Sequence, residues 1–265
     1  MGLECVIIYK KIHNKSERLR MLKILIASNN EGKIKEIREI FKEIAQIQSQ
    51  KEAGIDIEPK ETGKSFQENA LIKAYAVFEK LQDKALKNEW LKDCDEILVL
   101  ADDSGICVDI LHGEPGIKSA RYANTSDNDT NSSDEQNRLK LISELQKHKV
   151  RESSARFVAC VAIIGKIIGK VKVGAKSHVK SNAKSHDKDK SSESKMIEFC
   201  GFGECEGKVI TQQRGDNGFG YDCMFVPDGF DKTLAELEPQ VKNTISHRKK
   251  ALEQVREYIS EHKKS

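Results

Sequence analysis

Leu22-Lys23-Ile24-Leu25-Ile26-Ala27 leads into Ser28-Asn29-Asn30-Glu31-Gly32-Lys33, and Ile34, Ile37, Phe41 and Ile44 then recur at helical spacing. The short, largely apolar run reads as a strand, and the 3.6-residue repeat reads as a helix. The unit is strand, loop, helix, with the loop at the helix N-terminus. Further along, Ser65 with Glu68 reads as a capping box ahead of Leu71, Ala74, Phe78 and Leu81. It predicts a long helix that the charged stretch 80–95 extends or interrupts. Residues 97–101 and 106–111 are strand candidates, with Asp102-Asp103-Ser104-Gly105 read as the turn between them. Residues 124–137 read as a polar loop, and Ser133 with Gln136 caps a helix carrying Leu139, Ile142 and Leu145. β-branched residues predict a strand over 155–173, and 196–210 reads as one or two strands. A Gly-rich loop at 215–222 precedes a short strand at 223–227. Val241, Ile245, Leu252, Val255 and Ile259 predict one C-terminal helix. Alternating strands and helices with some hairpins argue an α/β fold with a mixed sheet.

The chain has 265 residues, enough for one large domain or two small lobes around a real core. Hydrophobic residues make up 38%, which is low, and charged residues 33%, which is high. Part of this imbalance is local. Residues 176–195 hold six Lys against three acids and carry a charge of +3, equal to the net charge of the whole chain. The rest is neutral by this count, which argues against a nucleic-acid-binding face. Lys-Ser recurs at 176, 180 and 184 without an apolar stripe, so the segment at about 174–196 reads as a disordered hairpin-loop insertion. A polyanion-binding arm is its functional alternative. Residues 1–21 read as an extension, with Met21 a candidate second start and 22–265 the functional domain.

No run approaches the roughly 18–20 apolar residues of a bilayer span, so no membrane partner is expected. The apolar run Cys5 to Tyr9 is too short for a signal peptide, and Val6 stands where myristoylation needs Ser or Thr. Seven scattered cysteines, an odd number, read as buried thiols of a reduced cytoplasmic protein.

Four stretches carry candidate chemistry. Free N–H groups at the start of the first helix suit an anion, and Lys33 in the first turn opposes the helix dipole unless an anion offsets it. The stretch is no Walker A loop, since Ile34 replaces the required hydroxyl residue. Asp102 and Asp103 are adjacent carboxylates that repel each other, and a divalent cation is one compensation; an exposed acidic turn is the plainer reading. Glu61 is a third carboxylate in a loop. Glycines around Phe219 let the backbone approach a planar ligand, although a tight turn with a core Phe is the plainer reading. On a continuous helix Thr244 and Arg248 share a face, and His247 with Arg248 suits reading a base edge; a surface ion pair is the common alternative for Arg248.

Taken in order, Ser28-Asn29-Asn30-Glu31-Gly32-Lys33, Glu61-Thr62-Gly63 with Glu68-Asn69-Ala70, Ala101-Asp102-Asp103-Ser104-Gly105, Pro115-Gly116-Ile117-Lys118-Ser119-Ala120-Arg121-Tyr122, Gly218-Phe219-Gly220-Tyr221-Asp222 and Ser246-His247-Arg248 closely resemble the inosine/xanthosine triphosphate pyrophosphatase family over about residues 23–259. The resemblance implies a mixed central β-sheet flanked by helices, in two lobes with a nucleotide cleft between them, and a homodimer. It implies that a deaminated purine nucleoside triphosphate (ITP, dITP or XTP) is hydrolysed to monophosphate and pyrophosphate with Mg²⁺. By the same resemblance Ser28, Asn29, Asn30, Glu31, Gly32, Lys33 and Lys73 hold the triphosphate. Asp103 is the catalytic base and a metal ligand, with Glu61 sharing the metal and Asp102 beside it, and Ser104 contacts substrate. Phe219, Gly220, Tyr221, Asp222, Lys242, His247 and Arg248 form the base and sugar pocket. Ser28 departs from a common Thr and Cys223 from a common Pro. A nucleotide sensor without turnover, or a pyrophosphatase for another modified nucleotide, are the competing readings.

Overall fold

A computed structural model describes residues 22–84, 90, 96–124, 130–168 and 194–264. Strand β1 (Leu22–Ile26) lies between β2 (Ala45–Ser49) and β3 (Ile97–Val108), parallel to both. Strands β4 (Glu152–Ile168), β5 (Ser194–Ile210) and β6 (Phe225–Pro227) continue antiparallel, giving a mixed six-stranded sheet in the order β2-β1-β3-β4-β5-β6. Because β1 is flanked by a strand on each side, Leu22, Ile24 and Ile26 face one layer and Leu25 the other, with the partly buried Lys23 interrupting the apolar run. The edge strand β2, Ala-Gln-Ile-Gln-Ser, lacks that run, and the sequence reading passes over it.

Helices α1 (Glu31–Phe41) and α5 (His247–Lys264) pack on one face of the sheet, and α2 (Phe66–Lys84) on the other. Helix α3 (Asp134–Lys147), the short α4 (Pro239–Ile245) and β6 surround a further core of Ile106, Leu141, Leu145, Phe157, Met224 and Phe225. Strands β3, β4 and β5 contribute to both ends. A crevice lined by Ser104, Gly105, Phe157 and Cys205 opens at their middle.

Several boundaries differ from the sequence reading. Helix α1 stops at Phe41; Ile44 sits in the following turn but still packs on the core. Asp102 to Gly105 form no turn. Strand β3 runs through them, with Asp102, Asp103, Ser104 and Gly105 opposite Val161, Cys160, Ala159 and Val158 of β4. Acidic and Gly residues are poor strand formers, but the cross-strand ladder and the ion pairs described below override that preference. Gly105 is required here, because the Gly116 carbonyl and the Ser119 hydroxyl occupy the place of a side chain. Residues 109–111 form a 3₁₀ turn, and Leu139 is exposed. The C-terminal helix is broken at Ser246, which is extended (φ −58°, ψ 128°) and accepts the Lys249 N–H at 3.4 Å as the cap of α5. Thr244 and Arg248 therefore belong to different helices.

Both capping signals hold the helices they announce. Ser133 and Gln136 form a reciprocal box on α3, at 3.2 and 3.1 Å. Ser65 accepts the Glu68 N–H at 3.1 Å, whereas the Glu68 carboxylate takes the Lys64 N–H in place of that of Ser65. The extension 1–21 and residues 174–193 of the lysine–serine segment lie outside the described residues, as do 85–89 and 91–95 of the charged stretch.

Candidate active site

The loop between β1 and α1 is built by its own side chains. Ser28 Oγ accepts the Asn30 N–H at 3.1 Å, and Asn30 Oδ1 accepts the Lys33 N–H at 3.0 Å, capping α1. Lys33 then reaches across to the carboxylate of Asp102. The anion that offsets its unfavourable place at a helix start is thus the protein's own aspartate. Glu31 points the other way, into an outer groove it shares with Lys35 and Arg38, because the first helical turn carries it off the crevice side. Gly32 lies against Phe219: a Cβ there would stand 2.9 Å from the ring.

Successive strand residues face opposite sides, so the two aspartates do not share one environment. Asp102 faces α1 and α5. It receives Lys33, Arg248 Nε at 3.1 Å and the Ser104 hydroxyl at 3.0 Å. Arg248 also donates to Glu36 at 2.7 Å and to Ser104 Oγ at 3.0 Å. Burial works against the charge on Asp102, but Arg248 and Lys33 outweigh it and hold the carboxyl far below the usual carboxylate range. Burial lowers the pKa of Lys33, with Asp102 opposing.

Asp103 faces α2. Lys73 Nζ donates to it at 2.9 Å and to Glu61 at 2.8 Å, and Arg121 grips the other oxygen of Glu61 at 2.9 Å. Burial raises the pKa of Asp103, Lys73 opposes this, and Glu61 adds to the rise. Burial likewise disfavours charge on Glu61, but Lys73 and Arg121 prevail and lower its pKa. Lys73 is raised on balance, because Asp103 and Glu61 outweigh its burial.

The Gly-rich loop closes the other side. Gly218 and Gly220 adopt φ of +86° and +61°, which only Gly enters freely. Asp222 ties the loop to α4 by accepting the Phe219 N–H at 2.9 Å and Lys242 Nζ at 2.7 Å. Lys242 and Arg248 lie 5.3 and 5.7 Å from the centre of the Phe219 ring, within cation–π reach. Tyr221 is buried, with its hydroxyl on the Ser119 carbonyl at 2.8 Å, so it supports the wall. His247 is buried and stacked on Phe157 (centroids 4.9 Å, 10° between planes). Burial first, then Arg248, hold its pKa well below the ordinary value, so the ring is neutral near pH 7.

The crevice has two connected parts that share Asn30, Lys33 and Ser104. One is lined by Ser28, Asn29, Glu61, Lys73, Asp102 and Asp103. The other is lined by Phe219, Gly220, Tyr221, Asp222, Lys242, His247 and Arg248. Four further residues escaped the sequence reading. Glu36 holds Arg248, and Phe157 backs His247. Asp134 accepts the Gly220 N–H at 2.6 Å, and Arg138 donates to the Gly220 carbonyl at 2.9 Å. Spacing offered a signal for three of them: Glu36 is three residues from Lys33, and Asp134 and Arg138 are four apart on one helix face.

A mixed sheet flanked by helices, with a lysine-lined crevice holding carboxylates at one end and an aromatic loop at the other, defines an α/β protein shaped for a polyanion with a planar head. The chain belongs to the Ham1 family, which matches residues 24–258. It is 42% identical over 231 residues to a dITP/XTP pyrophosphatase of Campylobacter hominis, covering 87% of this chain and 93% of that one. It is 41% identical over 232 residues to a dITP/XTP pyrophosphatase of Campylobacter jejuni, covering 88% and 94%. Among solved structures it resembles a HAM1 protein from Coxiella burnetii (TM-score 0.66, 29% identity, 91% of this chain and 100% of that one). The Staphylococcus aureus Ham1 protein is also similar (TM-score 0.60, 32% identity, 90% and 98%). Among the described residues, no helix is long and apolar enough to cross a membrane.

Proposed function

We propose that this protein hydrolyses deaminated purine nucleoside triphosphates (ITP, dITP and XTP) to the monophosphate and pyrophosphate. The observation that carries the reading is the convergence of Lys33, Lys73 and Asp103 with Phe219, Lys242 and His247 on one crevice. A triphosphate bears about four negative charges near neutral pH, and Lys33, Lys73 and Lys242, each paired here with a carboxylate, offer it ammonium donors. Asp103, with its pKa raised by burial, takes the proton of the attacking water.

Magnesium fits the donor set. Asp103 and Glu61 flank a single ammonium, that of Lys73, and Mg²⁺ favours one or two carboxylates completed by water and phosphate oxygens. Among the described residues no group of three or more His, Cys, Asp or Glu side chains is clustered for a metal, and phosphate oxygens of the substrate would supply further ligands. Bound there, the ion supplies charge neutralisation on the phosphates. Lys73 bridges the two carboxylates and offsets part of their repulsion, and Lys33 stays on the Asp102 side as a phosphate donor.

Selection rests on the purine six-position. Hypoxanthine and xanthine present a carbonyl there, and the neutral His247 ring donates one N–H to it; Arg248 keeps further N–H groups beyond its three protein bonds. An adenine amine would meet donors, a mismatch that rejects by orders of magnitude. The free thiols of Cys107, Cys160, Cys200, Cys205 and Cys223 suit a reducing cytoplasm. A homodimer, as the family resemblance implies, would elute at about twice the 29.8 kDa of one chain in light-scattering chromatography. The test of function is pyrophosphate release across a nucleotide panel, with Mg²⁺ and with EDTA. Turnover of ITP, dITP and XTP far above ATP, abolished by EDTA, is expected. Comparable turnover of ATP and ITP would overturn the reading.

A further inference from the structure

Asn69 is fully buried on α2, one turn before Lys73, and both side chains reach Asp103. Lys73 Nζ meets Oδ1 at 2.9 Å, and Asn69 Nδ2 meets Oδ2 at 3.4 Å. The other end of the Asn69 carboxamide accepts the Gly63 N–H at 2.9 Å. This orientation is fixed by chemistry. A backbone N–H only donates and a carboxylate only accepts, so the amide oxygen must face Gly63 and the nitrogen Asp103. Gly63 is shaped to this contact: a Cβ there would come within 2.6 Å of Asn69 Oδ1. Gly63 lies two residues beyond Glu61, so one carboxamide joins the loop that carries Glu61 to the carboxylate of Asp103.

We propose that Asn69 is a positioning residue for the hydrolysis: it holds the Asp103 carboxylate in one rotamer and fixes its distance to the Glu61 loop. The inference rests on the pyrophosphatase reading above. Without Asn69, Lys73 grips only one oxygen, and the carboxylate is free to turn about its χ2 axis. Lys73 shares Asp103 with Asn69 but keeps its own bonds to Oδ1 and to Glu61. Loss of Asn69 therefore falls on the chemical step and leaves binding intact.

Asn69→Asp separates the two halves of the role. It keeps an acceptor for the Gly63 N–H and sets a carboxyl in place of the amide donor against Asp103; the neutral Asn69→Ser removes the carboxamide without adding charge. Both are assayed for ITP hydrolysis with Mg²⁺, and each is first checked for a wild-type-like thermal transition. Both variants are expected to lose about 10- to 100-fold in kcat, with KM within about 3-fold of wild type. An Asn69→Asp variant with wild-type kcat, or a loss that appears in KM alone, overturns the proposal. If Asn69→Asp does not fold, the kcat and KM of Asn69→Ser decide by the same criterion. A wild-type protein that hydrolyses no deaminated nucleotide refutes the functional reading instead, a result distinct from either outcome above.

Discussion

Asp102→Asn probes the charge arrangement of the crevice most directly. The side chain of Asp102 is wholly buried and is shared by Lys33 and Arg248, whose side chains are 16% and 4% exposed. The amide keeps the shape and removes the negative charge between two cations. Breaking a buried pair by removing one partner costs about 3–5 kcal/mol. The lower end applies here, because Arg248 retains Glu36 and Lys33 has some access to water. For a chain of this size, about 3 kcal/mol lowers Tm by roughly 6–12 °C. A bound polyphosphate replaces the lost charge beside Lys33. A non-hydrolysable triphosphate should therefore raise the Tm of Asp102→Asn by more than it raises that of wild type. Thermal melting by circular dichroism, with and without the analogue, measures both effects. An unliganded Tm within about 2 °C of wild type, or a smaller ligand-induced rise in the variant, would refute the reasoning.

Asp103→Asn is expected to keep nucleotide affinity and lose at least ~100-fold in rate, read by pyrophosphate release and by equilibrium binding of the same analogue. His247 is held neutral in the fold, while its unfolded counterpart takes up a proton near pH 6.5. The unfolded state then binds the extra proton, so stability falls as pH drops below about 6.5, by about 1.4 kcal/mol per pH unit from this group. Urea titrations between pH 7 and 5 should show a shallower slope in His247→Gln, and identical slopes would contradict the assignment. Gly203→Ala places a methyl on the His247 carbonyl and 2.9 Å from the Ala251 N, both backbone atoms. It should cost about 1–3 kcal/mol in chemical denaturation, and an unchanged midpoint would count against that packing.

The parts of the fold legible in sequence were those set by neighbours. The apolar β1, the helical repeat of α1 and the Ser133–Gln136 box each follow from residues a few positions apart. The Asp102-Asp103-Ser104-Gly105 stretch looked like a turn because its stability comes from afar. Lys33 and Arg248 meet Asp102 from opposite ends of the chain, 69 and 146 residues away. No local pattern carries that information, so the compensation appeared to need a metal when lysine and arginine supply it for Asp102. The break at Ser246 was hidden for a similar reason: Val241, Ile245 and Leu252 keep a helical period across it, although Val241 is exposed and the other two join different cores. Many of the site residues embedded in recognisable blocks line the one crevice, while Glu31 turns to an outer groove. Those that brace the blocks, such as Glu36, Asp134 and Arg138, were passed over as ordinary helix charges.

The unbroken course of β3, β4 and β5 through both lobes bears on how a nucleotide gains entry. A hinge works by concentrating backbone rotation in a few unconstrained residues, and a strand laddered on its neighbours offers none. Narrowing or widening of the mouth must be spread along the sheet as twist and bend, each residue yielding slightly. The Phe219 ring, resting on Gly32 and tied through its N–H to Asp222, is borne by a loop outside that ladder and so does not share the stiffness of the strands.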